Sequence, residues 1–178
     1  PDQLPCKARP EHKQTLSLRR KAFVPENSED LPGGSRVNVQ SIKDKLKNVA
    51  KTNFRLYQEL LTVYGLERAL FRIGKSKYRE NFTLKGGIFL YALYGKDYPR
   101  STSDIDLRAD KISGTLESLL SIFGEIFSIP ADDGLVFDLA SLKAREIKKQ
   151  DEYLGTNISI TALLGNTRLP MSIDIGFG

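Results

Sequence analysis

Tryptophan is absent from this chain, and cysteine, histidine and methionine occur once each, as Cys6, His12 and Met171. A single cysteine leaves no disulfide framework, and one Cys with one His cannot supply a Cys/His zinc set. The same scarcity removes Ser-His-Asp and Cys-His catalysis unless His12 is recruited. His12 sits among residues 1–36, which hold five prolines and no sustained periodicity. No apolar run approaches the roughly 20 residues that a membrane-spanning helix needs, and the N-terminus lacks the apolar core of a signal peptide. The expectation is a cytoplasmic protein with no membrane partner.

What is present suits a packed domain. The 178 residues are 40% hydrophobic and 28% charged, enough for one core and ordinary for a globular chain. The net charge of +5 is unevenly spread. Residues 37–80 carry ten Lys/Arg against four Asp/Glu, whereas residues 81–178 carry ten against thirteen. A basic segment beside an acidic one suits a protein that grips a polyanion and holds cations at its chemistry.

The chain divides accordingly. Residues 1–36 read as a flexible leader, with Gly33-Gly34-Ser35 as linker, because no strand precedes that glycine pair. Residues 37–80 read as a basic helical lobe. Asn38 caps a helix whose apolar positions are Ile42, Leu46, Val49 and Ala50. Lys43, Lys47, Lys51 and Arg55 recur every four residues on another face, which is either a solvated surface or a phosphate-contacting stripe. A second helix is expected over about 54–64, with Phe54, Tyr57, Leu60, Leu61 and Tyr64 buried and Gly65 ending it. A third begins near Leu66, faces Arg68, Arg72 and Lys75 outward, and closes at Gly74.

Residues 81–178 read as the core. Phe82-Thr83-Leu84 is a short strand. Lys85-Gly86-Gly87 is a turn where a backbone can approach a phosphate, and the apolar helix 88–94 follows and offers free N–H groups. Arg100-Ser101-Thr102-Ser103 leads into a strand carrying Asp104 and Asp106. Arg100 has the fork that suits phosphate oxygens, and Thr102 can donate to phosphate or cap the turn. Ser113 caps an amphipathic helix that runs to Phe127. A turn at 130–134, a β-rich stretch at 135–149, a loop at 151–155 and strands at 157–164 and 168–177 complete a meander.

The chemistry lies in the carboxylates. Alternate strand residues face one side, so Asp104, Asp106 and Arg108 share a face while Ile105 and Leu107 enter the core. Two carboxylates about 7 Å apart along a strand repel each other unless solvated or bridged by a divalent cation. Asp174, between Ile173 and Ile175, repeats the pattern. If its strand lies beside that of Asp104 and Asp106, three carboxylates converge, the minimal constellation for two-metal phosphoryl or nucleotidyl transfer. Taken alone, D-x-D is also what a half-exposed edge strand looks like.

Four ordered stretches, LKGGIFLYALYG, RSTSDIDL, DEYLGTNISITALLG and LPMSIDIGFG, together resemble the AbiEii/AbiGii toxin family of the DNA polymerase beta-like nucleotidyltransferase superfamily. The resemblance covers roughly residues 38–178. It implies an α+β fold, a mixed and largely antiparallel sheet with packed helices and an N-terminal helical lobe. It implies that Asp104 and Asp106 are paired metal carboxylates and that Asp174 is a third ligand or general base. Gly86 and Gly87 would hold the triphosphate, with Lys85, Arg100 and Thr102 beside the nucleotide. It further implies Mg²⁺ or Mn²⁺, a nucleoside triphosphate such as GTP, an RNA acceptor such as tRNA, and a cognate antitoxin. Three departures stand out, one being that the gap from the glycine turn to Asp104 is longer than the common superfamily spacing. The turn is Gly86-Gly87 where the superfamily has Gly-Ser, and the family pattern continues past Asp174 into helices, so a truncated member or N-terminal fragment is expected. The function expected is Mg-dependent nucleotidyl transfer in a bacterial toxin–antitoxin or abortive-infection system. The alternatives are a catalytically incomplete nucleotide- or RNA-binding module and an NTP-dependent kinase.

Overall fold

The computed structural model describes residues 37–94, 102–149 and 152–178. The leader, the Gly33-Gly34-Ser35 linker and Arg100 lie outside the described residues. The order of elements is α1 (Val39–Thr52), α2 (Tyr57–Lys75), β1 (Phe82–Lys85), α3 (Gly86–Tyr94), β2 (Asp104–Ala109), α4 (Leu116–Phe127), β3 (Leu135–Lys149), β4 (Glu152–Leu164) and β5 (Thr167–Phe177). The strands form one sheet in the order β1-β2-β5-β4-β3. β3, β4 and β5 are the antiparallel meander read from the sequence. β2 and β5 pair in parallel, and β1 closes the far edge antiparallel to β2. This is the α+β architecture with a mixed sheet that the sequence implied.

Strand alternation sorts the side chains. Ile105 and Leu107 of β2, Met171, Ile173 and Ile175 of β5, and Ile158, Ile160 and Ala162 of β4 are buried on one face. α2 and α4 cover that face, contributing Leu66, Ala69 and Ile73 from α2 and Leu119, Phe123 and Ile126 from α4 to a single core. Phe82, Phe123, Phe127 and Phe137 form a chain of ring contacts through it, the last pair stacked at 4.6 Å. The opposite face of the sheet carries the carboxylates.

The helix starts obey capping chemistry. Asn38 Oδ1 accepts from the Gln40 and Ser41 N–H groups at 2.9 and 3.4 Å. α4 is capped by Thr115, whose Oγ1 accepts from the Ser118 N–H at 3.3 Å, and not by Ser113. Ser113 instead sits two residues upstream and accepts from the Thr115 N–H.

Residues 57–75 form one helix where the sequence suggested two. Gly65 does not end it. A Cβ there would lie 3.3 Å from Met171 Sδ and 3.6 Å from Leu169 Cδ1, so the glycine lets α2 settle onto β5. A mid-helix glycine costs about 1 kcal/mol relative to alanine, and the close helix–sheet contact offsets it. Phe54, expected in the buried set, is 99% exposed in the link between α1 and α2. Leu90 of the apolar helix α3 is also exposed, while Ile88 enters the core. Of the loop expected at 151–155, residues 152–155 are the start of β4, with a register shift between Ile147 and Lys148. Gly155, at φ +150, permits it, because a Cβ there would collide with the Ile175 carbonyl oxygen.

Arg72, expected to face outward, is 2% exposed. Its Nη1 and Nη2 donate to Asp133 Oδ2 and Oδ1 at 2.7 and 3.2 Å, its Nε donates to the Ile129 carbonyl, and its guanidinium lies 4.6 Å from the Phe137 ring centre. Asp133 also accepts from the Leu135 N–H at 3.1 Å. The pair therefore fixes α2 to the turn that launches β3. Tyr64 joins it by donating to the Asp133 carbonyl at 2.7 Å. Burial, then the nearby Asp133 charge, push the Tyr64 phenol up from 10.0 to about 12. A raised phenol contributes stability that is full below pH 10.0 and is lost as pH rises through about 12. The stability advantage of wild type over Tyr64→Phe should thus shrink across that interval in urea titrations. An advantage independent of pH there would contradict the assignment.

Candidate active site

Five strands place one polar residue each in a row across the open face of the sheet. Lys85 of β1 is in register with Asp106 of β2, Asp106 with Asp174 of β5, Asp174 with Asn157 of β4, and Asn157 with Arg145 of β3. A second row runs from Asp104 through Ser172 and Ser159 to Lys143. Parallel pairing of β2 with β5 thus brings Asp104, Asp106 and Asp174 onto adjacent strands, which are spaced roughly 4.8 Å apart. All three are partly exposed.

The two glycines after β1 make room for this site. Gly86 has φ +69, and a Cβ on it would run into the Asp106 carboxylate. A Cβ on Gly87 would sit 2.9 Å from Thr102 Oγ1. Thr102 is 5% exposed, so its hydroxyl is seated against the first turn of α3. The Gly87 N–H donates to Asp106. Lys85 leans across the row, its Nζ 4.0 Å from where a Gly176 Cβ would stand.

The carboxylates act on one another. Burial raises the Asp106 carboxyl above its ordinary value, and the charges of Asp104 and Asp174 raise it further. Lys85 and the Gly87 N–H oppose the shift and do not cancel it. Three acidic groups thus face one lysine, and the excess negative charge makes the site attractive to a cation. Among the described residues, no group of three His, Cys, Asp or Glu side chains is so arranged that it could hold a metal ion as it stands. Asp106 is turned to the Gly87 N–H, and Asp174 Oδ1 accepts from Asn157 Nδ2 at 2.5 Å.

Asn157 was not singled out in the sequence. It is 5% exposed, and its Nδ2 also donates to Ser172 Oγ at 2.6 Å while its Oδ1 accepts from Arg145 Nε at 3.1 Å. Arginine only donates and a carboxylate only accepts, so these neighbours leave the amide one orientation. The alternation of Asn157, Ser159 and Thr161 with Ile158, Ile160 and Ala162 was visible, but the register with β5 was not.

The basic stripe on α1 lies elsewhere. Val39 and Ile42 abut Gly134, and Val39 abuts Gly165 at the β4–β5 turn. Asp174 stands seven residues, roughly 23 Å, further along β5 than Thr167. Lys47 pairs with Asp44, and Arg55 with Glu59.

A five-stranded mixed sheet with helices behind it and paired carboxylates in front, beside a glycine turn and a helix N-terminus, is the arrangement of a nucleotidyltransferase-like fold. The chain belongs to the nucleotidyl transferase AbiEii toxin family of type IV toxin–antitoxin systems, whose family model matches residues 68–178. No curated protein matches it. Membership implies a nucleotide substrate and an antitoxin partner. No helix among the described residues is long and apolar enough to cross a membrane.

Gly86→Ala tests the seat of Asp106. Rotating the carboxylate away would not clear the new methyl, since even Asp106 Cβ lies 2.9 Å from it, and φ +69 disfavours any side chain. Loss of nucleotide binding with a clear drop in melting temperature is expected; unchanged binding would show that the glycine is dispensable.

Proposed function

We propose that this chain transfers a nucleotide from a nucleoside triphosphate to the terminal hydroxyl of an RNA, tRNA being the favoured acceptor. The observation that supports it most is the register of Asp104 and Asp106 with the Asp174 strand on one open face. In the reaction the acceptor oxygen attacks the α-phosphorus, the bond from that phosphorus to the bridging oxygen breaks, and pyrophosphate leaves. Asp174 would take the hydroxyl proton. Lys85 and the first turn of α3, with Gly86, Gly87 and Thr102, would receive the triphosphate, helped by the N–H groups at the helix start. Arg100 is assigned to the same phosphates.

The donor set fits a hard divalent cation: three carboxylates, no sulfur or imidazole, and uncompensated negative charge around Asp106. Mg²⁺ or Mn²⁺ held by Asp104, Asp106 and Asp174 would neutralise the phosphates and lower the pKa of the attacking hydroxyl. Asp106 and Asp174 each accept one of these protein donors and keep lone pairs for a cation, so the contacts with Gly87 and Asn157 need not break. One observation favours a module that binds nucleotide or RNA without turnover: among the described residues no three acidic side chains are grouped to hold a metal ion as they stand. A cytoplasmic site of action follows from the proposed substrates.

The test is incubation of the purified chain with Mg²⁺, each α-labelled NTP in turn and total tRNA, alongside Asp104→Ala. Label on RNA with the wild type alone is expected. Equal labelling by the variant would refute the assignment, and nucleotide binding without label would establish the binding module.

A further inference from the structure

We propose that Arg145, oriented by Asn157, binds a backbone phosphate of the RNA acceptor on the side of the carboxylates away from the nucleotide. The inference rests on the nucleotidyl-transfer reading and adds the path by which the acceptor enters.

The attacking and leaving oxygens of a phosphoryl displacement lie roughly in line across the phosphorus. The glycine turn, Lys85 and Thr102 flank Asp106 on the β1 side, which leaves the attacking group the β5, β4 and β3 side. There the sheet is neutral on β4, with Asn157 and Ser159, and then basic on β3, with Arg145 and Lys143 in register with them. Arg145 stands two strands, roughly 10 Å, from Asp174, a span that suits a phosphate one or two nucleotides from the reacting end.

Arg145 is also preorganised. Its Nε is spent on Asn157 Oδ1, which fixes the plane of the guanidinium. No further partner for its Nη1 or Nη2 occurs among the described residues, and the residue is exposed. A planar fork held at its base with its far edge open matches the geometry by which arginine takes a phosphate. The same amide holds Asp174 with its Nδ2. Asn157 therefore ties the proposed proton acceptor and the proposed phosphate contact into one unit. Glu146, the acidic neighbour on β3, is already paired with Lys148 at 2.7 Å.

The test measures binding and turnover separately. A labelled single-stranded RNA of about a dozen nucleotides is titrated by anisotropy at several salt concentrations against wild type, Arg145→Gln, Arg145→Lys and Lys148→Gln. Loss of one phosphate contact should lower the salt slope by about 0.7 and weaken binding about fivefold at 0.1 M salt. Arg145→Gln should show both, with a raised KM for RNA and an unchanged KM for NTP. Arg145→Lys should restore the slope and only part of the affinity. Lys148→Gln removes the same charge from the same strand and should leave the slope intact. An unchanged slope in Arg145→Gln, an equal loss in Lys148→Gln, an effect on NTP alone, or no RNA binding by the wild type would each overturn the proposal. RNA binding that depends on Arg145 without any transfer would support the contact and refute the enzymatic reading instead.

Discussion

Asp106→Asn is expected to melt at a higher temperature than the wild type at neutral pH while losing nucleotidyl transfer. Burial and the charges of Asp104 and Asp174 hold the Asp106 carboxyl above its ordinary value. The folded chain therefore keeps that proton to higher pH than the unfolded chain does. Across the window between the ordinary and the raised value, stability falls as pH rises, and above it the ionised group opposes folding throughout. Asparagine removes the charge, and its Oδ1 can still accept from the Gly87 N–H. The gain in melting temperature should vanish below the ordinary carboxylate range, where Asp106 is protonated in both states. Activity runs the other way. Losing one carboxylate from a cation site forfeits several kcal/mol of transition-state stabilisation, on the order of 10²–10³-fold in rate. Calorimetry across pH, with the labelled-NTP assay, reads both. A variant that melts lower at pH 7 would contradict the electrostatic account of the site.

Asp133→Ala should destabilise the fold about as much as truncating a large core side chain. Asp133 accepts both Nη groups of Arg72 and the Leu135 N–H within a pocket closed by Phe137. Removing it leaves a guanidinium charge buried without its counter-ion, a defect worth about 3–5 kcal/mol. For a domain of this size that is a fall of roughly 6–20 °C in melting temperature. Arg72→Leu combined with Asp133→Ala should lose less than the two single losses added, because the orphaned charge is gone. Additive losses would show that the pair acts by packing alone.

Parts of this molecule were legible from local pattern. The alternation in DIDL and SIDI put the aspartates on one side and the isoleucines and leucine on the other, and the structure keeps that division. The Asn38 cap and the strand–glycine–helix unit at 82–94 were equally local. The misread features depend on partners far along the chain. Arg72 lies on what looked like a basic helix face, and Asp133, 61 residues away, buries it. Gly65 looked like a stop, and Met171 and Leu169 made it a contact. Gly86 and Gly87 could be read as a turn, but that a Cβ at either would meet Asp106 or Thr102 was not visible locally. Asn157 carried no signal beyond its parity in the strand, because its importance comes from register with Asp174 and Arg145.

Nucleotidyl transfer by this chain would depend on Asp104, Asp106 and Asp174 acting as one cation site. Mn²⁺ titration followed by electron paramagnetic resonance, with and without a non-hydrolysable NTP, tests it most directly. The account predicts saturable binding by the wild type that tightens with nucleotide and weakens at least tenfold in Asp106→Asn and in Asp174→Asn. Mn²⁺ binding of equal strength in the wild type and both variants would contradict it.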